Sequence, residues 1–286
     1  MTNNSLNGMA ALVTGGSGGI GAACAEALLR DGAAVVIMGR HKDTLVQTRD
    51  KLLAAVPSGR VEIYAGSALE TKDVQAALAH THGMLNRLDI IVATVGGGGF
   101  KPLLMHDADS FRAELDQNII SAFLAMRYGA PLMGQGGSIV CISSTAGVTA
   151  FPWLSAYCTG KGGLESLIRT AADELAAAKI RVNAIRPGLT RSNATTSMFE
   201  SPDVMSRFLE QIPLQRGGDP ADIAAGVRYL AGPESAWVTG QSFAVDGGHE
   251  LRRNPDLSPV ISAIYGEQAL ATLRAGKSPT DTPEAG

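Results

Sequence analysis

The chain lacks any excess of positive charge: 24 lysines and arginines stand against 27 aspartates and glutamates, a formal net charge of −3. With no basic field to draw in polyanions, neither nucleic acid nor an anionic membrane surface is an expected partner, and a small neutral or anionic molecule is. Cysteine is scarce. Cys24, Cys141 and Cys158 form an odd set without CxxC spacing, in apolar or small-residue surroundings, which argues for reduced, packed thiols and against a disulfide framework. No apolar run reaches the roughly 18 residues of a membrane-spanning helix, and Met1 to Gly8 carries no basic-then-apolar leader pattern. The cytoplasm is therefore the expected address. An internal repeat with a period of a few tens of residues is also missing, which removes solenoids and propellers. No metal site is expected.

What the chain has in quantity is glycine, 34 residues, set between short apolar runs and stretches of helical spacing. Met9–Thr14, Ala33–Met38, Val61–Ala65, Leu88–Val95, Gly137–Ile142, Ile180–Ile185 and Ser242–Val245 read as strands, the sixth halted by Pro187 and Gly188. Ile20–Arg30, Asp43–Ala55, Thr71–Asn86, Pro220–Leu230 and two long segments, Ala108–Met133 and Ser155–Ala178, read as helices. This alternation predicts an α/β fold: one Rossmann-like, doubly wound parallel sheet of about seven strands with helices on both faces. A length of 286 residues suits one large domain, taken as residues 1–248. Within it, Thr190–Gly217 is a polar insertion bearing methionine and phenylalanine, placed as a substrate lid. Residues 249–286 form a C-terminal extension with a helix over 258–274. There Ser258 would cap, Pro259 suits the first position, and Val260, Ile261, Ile264 and Leu270 make an apolar stripe. The last dozen residues read as disordered.

Thr14-Gly15-Gly16-Ser17-Gly18-Gly19-Ile20-Gly21 lies between the first strand and the first helix. Backbone N–H groups and a helix N-terminus at such a turn face a pyrophosphate well, and glycine lets the backbone approach it. A Walker loop is excluded because no Lys-Ser or Lys-Thr follows the last glycine. The GxGxxG register of Gly16, Gly18 and Gly21 leaves methyltransferases and other dinucleotide folds open.

Tyr157 and Lys161 stand four residues apart in a helical segment, so a phenol and an ammonium share one face. Ser144 lies thirteen residues before the tyrosine and Asn118 in the preceding long helix. Together with Thr14-Gly15 to Gly21, Pro187-Gly188 and the closing Val245-Asp246-Gly247-Gly248, these residues fall in the order and spacing of a short-chain dehydrogenase/reductase. The chain resembles that family from about residue 9 to Gly248, and is similar to its 3-oxoacyl-thioester reductases and hydroxysteroid dehydrogenases. The resemblance implies hydride exchange between a nicotinamide cofactor and a carbonyl or alcohol. Tyr157 would transfer the proton, Ser144 would bind the substrate oxygen, Lys161 would hold the nicotinamide ribose and support the phenol, and Asn118 would position a relay water. A tyrosine near its usual pKa of about 10 needs roughly 4 kcal/mol to fall by about three units. An ammonium about 4 Å away, at an effective dielectric near 20, supplies about that much.

The resemblance also implies a cofactor cradle of Gly15, Ser17, Gly18, Gly19, Ile20, Gly21, Gly96, Tyr157, Lys161, Pro187, Gly188 and Thr190. Where NAD-preferring members end the second strand on an acidic residue, this chain has Gly39 followed by Arg40. A guanidinium pairs with a 2′-phosphate in fork geometry, so NADP(H) is favoured over NAD(H). His41 and Lys42 add to the local field, while Gly18 stands where many NADP-using members carry a basic residue. Two further departures are Ser67 in place of an aspartate near the adenine, and Ala93-Thr94-Val95-Gly96 in place of Asn-Asn-Ala-Gly. Phe151, Trp153, Met198, Phe199, Met205 and Phe208 are candidates for an apolar pocket, which favours an acyl thioester or steroid-like ketone. Arg191, Arg252 and Arg253 are candidates for a phosphate. A homo-oligomer, dimer or tetramer, is expected through the two long helices, with the extension reaching across a neighbouring subunit. A non-catalytic nucleotide sensor on the same fold and an NAD-dependent alcohol dehydrogenase are the alternative readings. The intact Asn118, Ser144, Tyr157 and Lys161 weigh against the sensor.

Overall fold

The computed structural model describes residues 5–134 and 136–279. Seven strands, β1 (Ala10–Thr14), β2 (Ala34–Gly39), β3 (Val61–Ala65), β4 (Ile90–Ala93), β5 (Gly137–Ile142), β6 (Ile180–Pro187) and β7 (Ser242–Val245), form one sheet in the order β3-β2-β1-β4-β5-β6-β7. Every pairing is parallel. Such a sheet needs both faces covered, and its inner strands are accordingly mostly apolar and almost wholly buried. Side chains alternate between two cores. Leu12, Val36, Met38 and Ile91 face helices α3 (Thr71–Leu85), α5 (Ser121–Gly129) and α6 (Ser155–Leu175), while Val13, Val35, Ile37 and Val92 face α1 (Gly19–Arg30), α2 (Lys42–Ala55) and α9 (Pro220–Ala231). The chain crosses from β3 at one edge to β4 beside β1, so a crevice opens where the carboxyl ends of β1 and β4 diverge.

The expected long helix over 108–133 is interrupted. It runs as α4 (Ala108–Leu115), one π-helical turn (Asp116–Ile120) and α5, and then ends in a short 3-10 turn. The second long helix is α6 followed by a 3-10 turn at Ala176–Ala178. Pro187 does not halt β6: it is its last residue and pairs with Val245, since at the sheet's end the missing N–H costs no ladder bond. The insertion carries α7 (Thr196–Glu200) and α8 (Pro202–Leu209). Its two ends meet, because Arg191 N donates to Gly218 O at 2.9 Å and Gly218 N to Leu189 O at 2.8 Å.

The extension forms two helices instead of one, α10 (Ser258–Tyr265) and α11 (Glu267–Arg274), broken at Gly266, whose φ of +88° favours glycine. Ser258 does not cap α10. Its N–H donates to Asp256 Oδ1 and its hydroxyl accepts from Arg274. Ile261 and Leu270 are buried as the stripe predicts, whereas Ile264 is 54% exposed. Of the last dozen residues, read as disordered, 280–286 lie outside the described residues.

Candidate active site

The glycine turn is held by packing that only hydrogen atoms at Cα permit. Gly15 has φ +64°, and a Cβ there would sit 2.5 Å from Thr94 Oγ1. Thr94 in turn ties β4 to β1: its hydroxyl donates to Thr14 O at 2.6 Å and its N–H donates to Thr14 Oγ1 at 3.3 Å. A side chain on Gly21 would collide with the Gly15 carbonyl, which is what lets α1 start hard against the turn. Gly18 is different, since a Cβ there would find only Gly15 O, at 3.4 Å. Ser17 Oγ lies 3.2 Å from where a Cβ on Gly39 would be, so the turn stands beside the end of β2. The next residue, Arg40, is exposed and makes no ion pair among the described residues. Opposite, Arg191 O and Ser192 Cα come within 3.4 and 3.5 Å of a Cβ built on Gly19.

The four candidate catalytic residues converge on one place. Ser144 follows β5, Tyr157 and Lys161 lie on α6, and Asn118 sits in the π turn, fully buried. Asn118 is no solvated surface residue: Nδ2 donates to Gly97 O at 2.7 Å and to Glu114 O at 2.8 Å, while Oδ1 accepts from Gly97 N at 3.0 Å. The π turn begins at Asp116, and the Asn118 side chain within it bonds the Glu114 carbonyl four residues back. Lys161 Nζ donates to Ile142 O at 2.8 Å. Glycines allow the approach. A Cβ on Gly96 would lie 2.6 Å from Lys161 Nζ and 2.8 Å from Asn118 Oδ1, one on Gly160 2.9 Å from Asn118 Cβ, and one on Gly98 2.6 Å from Tyr157 Cβ.

Ser144, Tyr157 and Lys161 open into a cavity of about 850 Å³, which Ile20, Gly96, Pro187, Gly188 and Thr190 also line. Its far wall is largely apolar, with Arg207, His249 and Asn254 also lining the cavity. Phe100, Phe151 and Phe208 stand edge to face, with centroids 6.3 and 6.1 Å apart, and Met198, Leu257 and Val260 complete it. Three of the six residues expected there lie elsewhere. Trp153 packs against Ile261 and Leu270 under the extension, Phe199 lies under Arg191 and against Gly217, and Met205 is half-buried outside the cavity lining. Arg191 pairs with Asp219, and Arg252 donates to Glu210 O; Arg253 is exposed.

Sequence reasoning missed Phe100, His249, Leu257 and Val260. The apolar stripe of α10 is visible in the sequence, but the wall it meets is not. Here α10 roofs the cavity of its own chain, anchored by Tyr265 Oη donating to Phe100 O at 2.8 Å.

A family model described as enoyl-(acyl carrier protein) reductase matches residues 15–250. The chain belongs to the short-chain dehydrogenase/reductase family. A solved short-chain dehydrogenase/reductase from Mycobacterium ulcerans is 33% identical with a TM-score of 0.89, over 93% of this chain and 98% of that one. The 7alpha-hydroxysteroid dehydrogenase of Escherichia coli K12 is 32% identical over 86% of this chain and 96% of its own length. A structure described as 7 alpha-hydroxysteroid dehydrogenase complexed with NADH and 7-oxo glycochenodeoxycholic acid is 30% identical with a TM-score of 0.82, over 86% of this chain and 96% of that one. This short-chain dehydrogenase/reductase is thus an oxidoreductase of hydroxyl and ketone groups, from a family that uses a nicotinamide dinucleotide.

Its residues fit that cofactor. The N-terminus of α1 has no side-chain cap, so its free N–H groups and the helix dipole suit an anionic diphosphate. Burial lowers the Lys161 pKa to about 8, opposed by Cys141 and Glu165. The Tyr157 phenol is pushed above its ordinary value by burial; a hydrogen bond from Ser144 pulls it back, and Cys158 and Glu114 add to the rise. Lys161 Nζ lies 5.8 Å from the Tyr157 ring centroid, and Lys161 is not among the groups that shift the phenol. Tyr157 therefore stands as a protonated acid at neutral pH. Cys24 and Cys141 are free thiols pushed by burial to about 12, and Cys158 is free and half-buried.

No helix among the described residues is long and apolar enough to cross a membrane.

Proposed function

We propose that this oxidoreductase interconverts an apolar ketone and its secondary alcohol with NADP(H). The observation that carries the reading is the placement of Ser144, Tyr157 and Lys161 at one end of a cavity whose other end is walled by phenylalanines. The nicotinamide, when bound, supplies or accepts the hydride. Ser144 Oγ, which accepts from Ala146 N at 3.2 Å and hydrogen-bonds the Tyr157 phenol, would turn its proton to the substrate oxygen when that arrives and stabilise the charge that develops there. In reduction Tyr157 Oη gives its proton to that oxygen, a task for which the protonated phenol is already poised. Lys161, fixed by the Ile142 carbonyl, has N–H groups left that would hold the ribose of a bound cofactor, and Asn118 fixes the Gly97 backbone beside it.

Arg40, exposed next to the turn with no carboxylate at Gly39, supports NADP(H) by pairing with the 2′-phosphate. The insertion acts as a lid over the catalytic domain, with both its ends pinned near Thr190. Ile120 and Phe123, exposed on the π turn and α5, support a homo-oligomer through these helices and α6. The deciding experiment is a panel of ketones and alcohols assayed with NADPH and NADH. We expect turnover of apolar cyclic ketones with NADPH preferred, and Arg40→Asp to cut that preference about 10- to 100-fold, the worth of one charge-assisted hydrogen bond. A wild-type preference for NADH, or activity on sugars alone, overturns the reading.

A further inference from the structure

His249 sits where the sheet hands over to the extension, and its surroundings aim it inward. Gly247 and Gly248 both take positive φ, +66° and +88°, and the Asp246 carboxylate accepts from Gly248 N at 2.9 Å and Glu250 N at 2.7 Å. Glu250 is held by Arg186 through Nε and Nη2 at 2.7 and 2.9 Å. The short 3-10 turn His249–Leu251 is thus fixed from both sides. His249 is 4% exposed and lines the cavity, its ring edge to face with Phe208 at 6.0 Å. It ends the run of rings that starts at Phe100.

Neither ring nitrogen has a well-aligned hydrogen-bond partner, although the Arg253 backbone lies near enough to accept from the ring. Packing alone does not explain a histidine here, because a phenylalanine would pack against Phe208 without burying two nitrogens, of which the Arg253 backbone can serve only one. Burial holds the imidazole below its ordinary pKa, opposed by Asp246, a hydrogen bond to the Arg253 backbone and Glu250. A neutral ring offers one donor and one acceptor, and the carboxylates of Asp246 and Glu250 disfavour an anion beside it. Asn254, an amide on this wall, already donates to Ala150 O at 2.9 Å.

We propose that His249 is a second substrate anchor, hydrogen-bonding an uncharged oxygen, a hydroxyl or a carbonyl, that the apolar substrate carries away from its reacting carbon. The inference rests on the ketone reading above and narrows it to substrates oxygenated at two separated positions. One oxygen meets Ser144 and Tyr157; the other reaches the corner between Phe208 and His249.

The test compares 2-decalone with its 6-hydroxy derivative, using NADPH and the wild-type, His249→Phe and His249→Gln proteins. The wild type is expected to favour the hydroxyketone at least tenfold in kcat/KM, His249→Phe to bring the ratio within twofold of one, and His249→Gln to keep part of the preference. Because each ratio is taken within one protein, a loss of folded enzyme cancels. Calorimetric Kd values for both ketones on the NADP⁺ complex, which cannot reduce them, are expected to give the same ratios. Equal affinity of the wild type for the two ketones, or an undiminished ratio in His249→Phe, overturns the anchor. Absence of turnover on either ketone with the Kd ratio intact strikes the proposed reaction and leaves the anchor standing.

Discussion

The two ends of the cleft are made of different materials. At the dinucleotide end the work is done by backbone, over the seven residues from Gly15 to Gly21 and a few glycines that let helices close in. At the substrate end it is done by side chains from segments far apart in sequence: Phe100, Phe151, Phe208, His249 and Val260. A backbone site is specified by what the residues lack, and a local stretch suffices. A side-chain wall is specified by what the residues carry, and only the fold decides which carriers meet. The first kind serves one ligand across many proteins, whereas the second is free to differ between relatives of the same fold.

The largest effect is expected at the junction of the two ends. Tyr157→Phe removes the transferable proton, so kcat should drop about 10²- to 10⁴-fold, while a fluorescence titration with NADPH still saturates. Survival of full activity would remove Tyr157 from the proton path. Next comes the backbone end. Gly21→Ala drives a methyl group into the Gly15 carbonyl, and overpacking of this kind costs about 1–3 kcal/mol. Both the melting temperature and NADPH affinity should fall; unchanged values would mean that α1 is free to slide.

The substrate end should be gentler. Tyr265→Phe deletes the bond to the Phe100 carbonyl that ties α10 down, worth about 1 kcal/mol, so kcat/KM for a bulky ketone should fall about fivefold while the NADPH Kd stays put. Equal losses for cofactor and ketone would blur the division between the ends. The smallest effect concerns pH. Lys161 loses its proton as pH rises through about 8, so reduction should decline on that alkaline limb. Glu165, buried and accepting from Ser242 Oγ at 2.9 Å, favours the charged ammonium. Removing its charge in Glu165→Gln should therefore move the limb to lower pH, read from a kcat/KM profile; a shift upward would contradict the assignment of that limb to Lys161.

The sequence was most readable where one local pattern has one physical meaning. The strands and the glycine turn were legible because a parallel sheet demands continuous apolar runs and a phosphate cradle demands missing side chains. Asn118, Ser144, Tyr157 and Lys161 were found by order and spacing, and the fold brings them together. The π turn was not legible, because Asp116 to Ile120 carries no breaker; it follows from the demands of Asn118 on the Gly97 and Glu114 backbone. Trp153, Phe199 and Met205 were misplaced for a related reason, since an aromatic or methionine in a lid packs equally well on either side. The helix break at Gly266 had a local sign that was read past, while the roofing of the cavity by α10 had none.

The π turn has one more consequence, in the arithmetic of insertion and deletion. Each residue of an α-helix turns the chain by about 100°, so the extra residue in Asp116–Ile120 sets α4 and α5 out of phase by that amount. A one-codon deletion within this stretch would straighten the helix at almost no cost in composition or hydrophobicity. It would also swing either Asn118 away from the Gly97 backbone or Ile119 away from Gly163, whose missing side chain makes room for it. For this stretch, reading frame within the helix matters more than residue type. Length variants should therefore be harsher than most substitutions around Asn118.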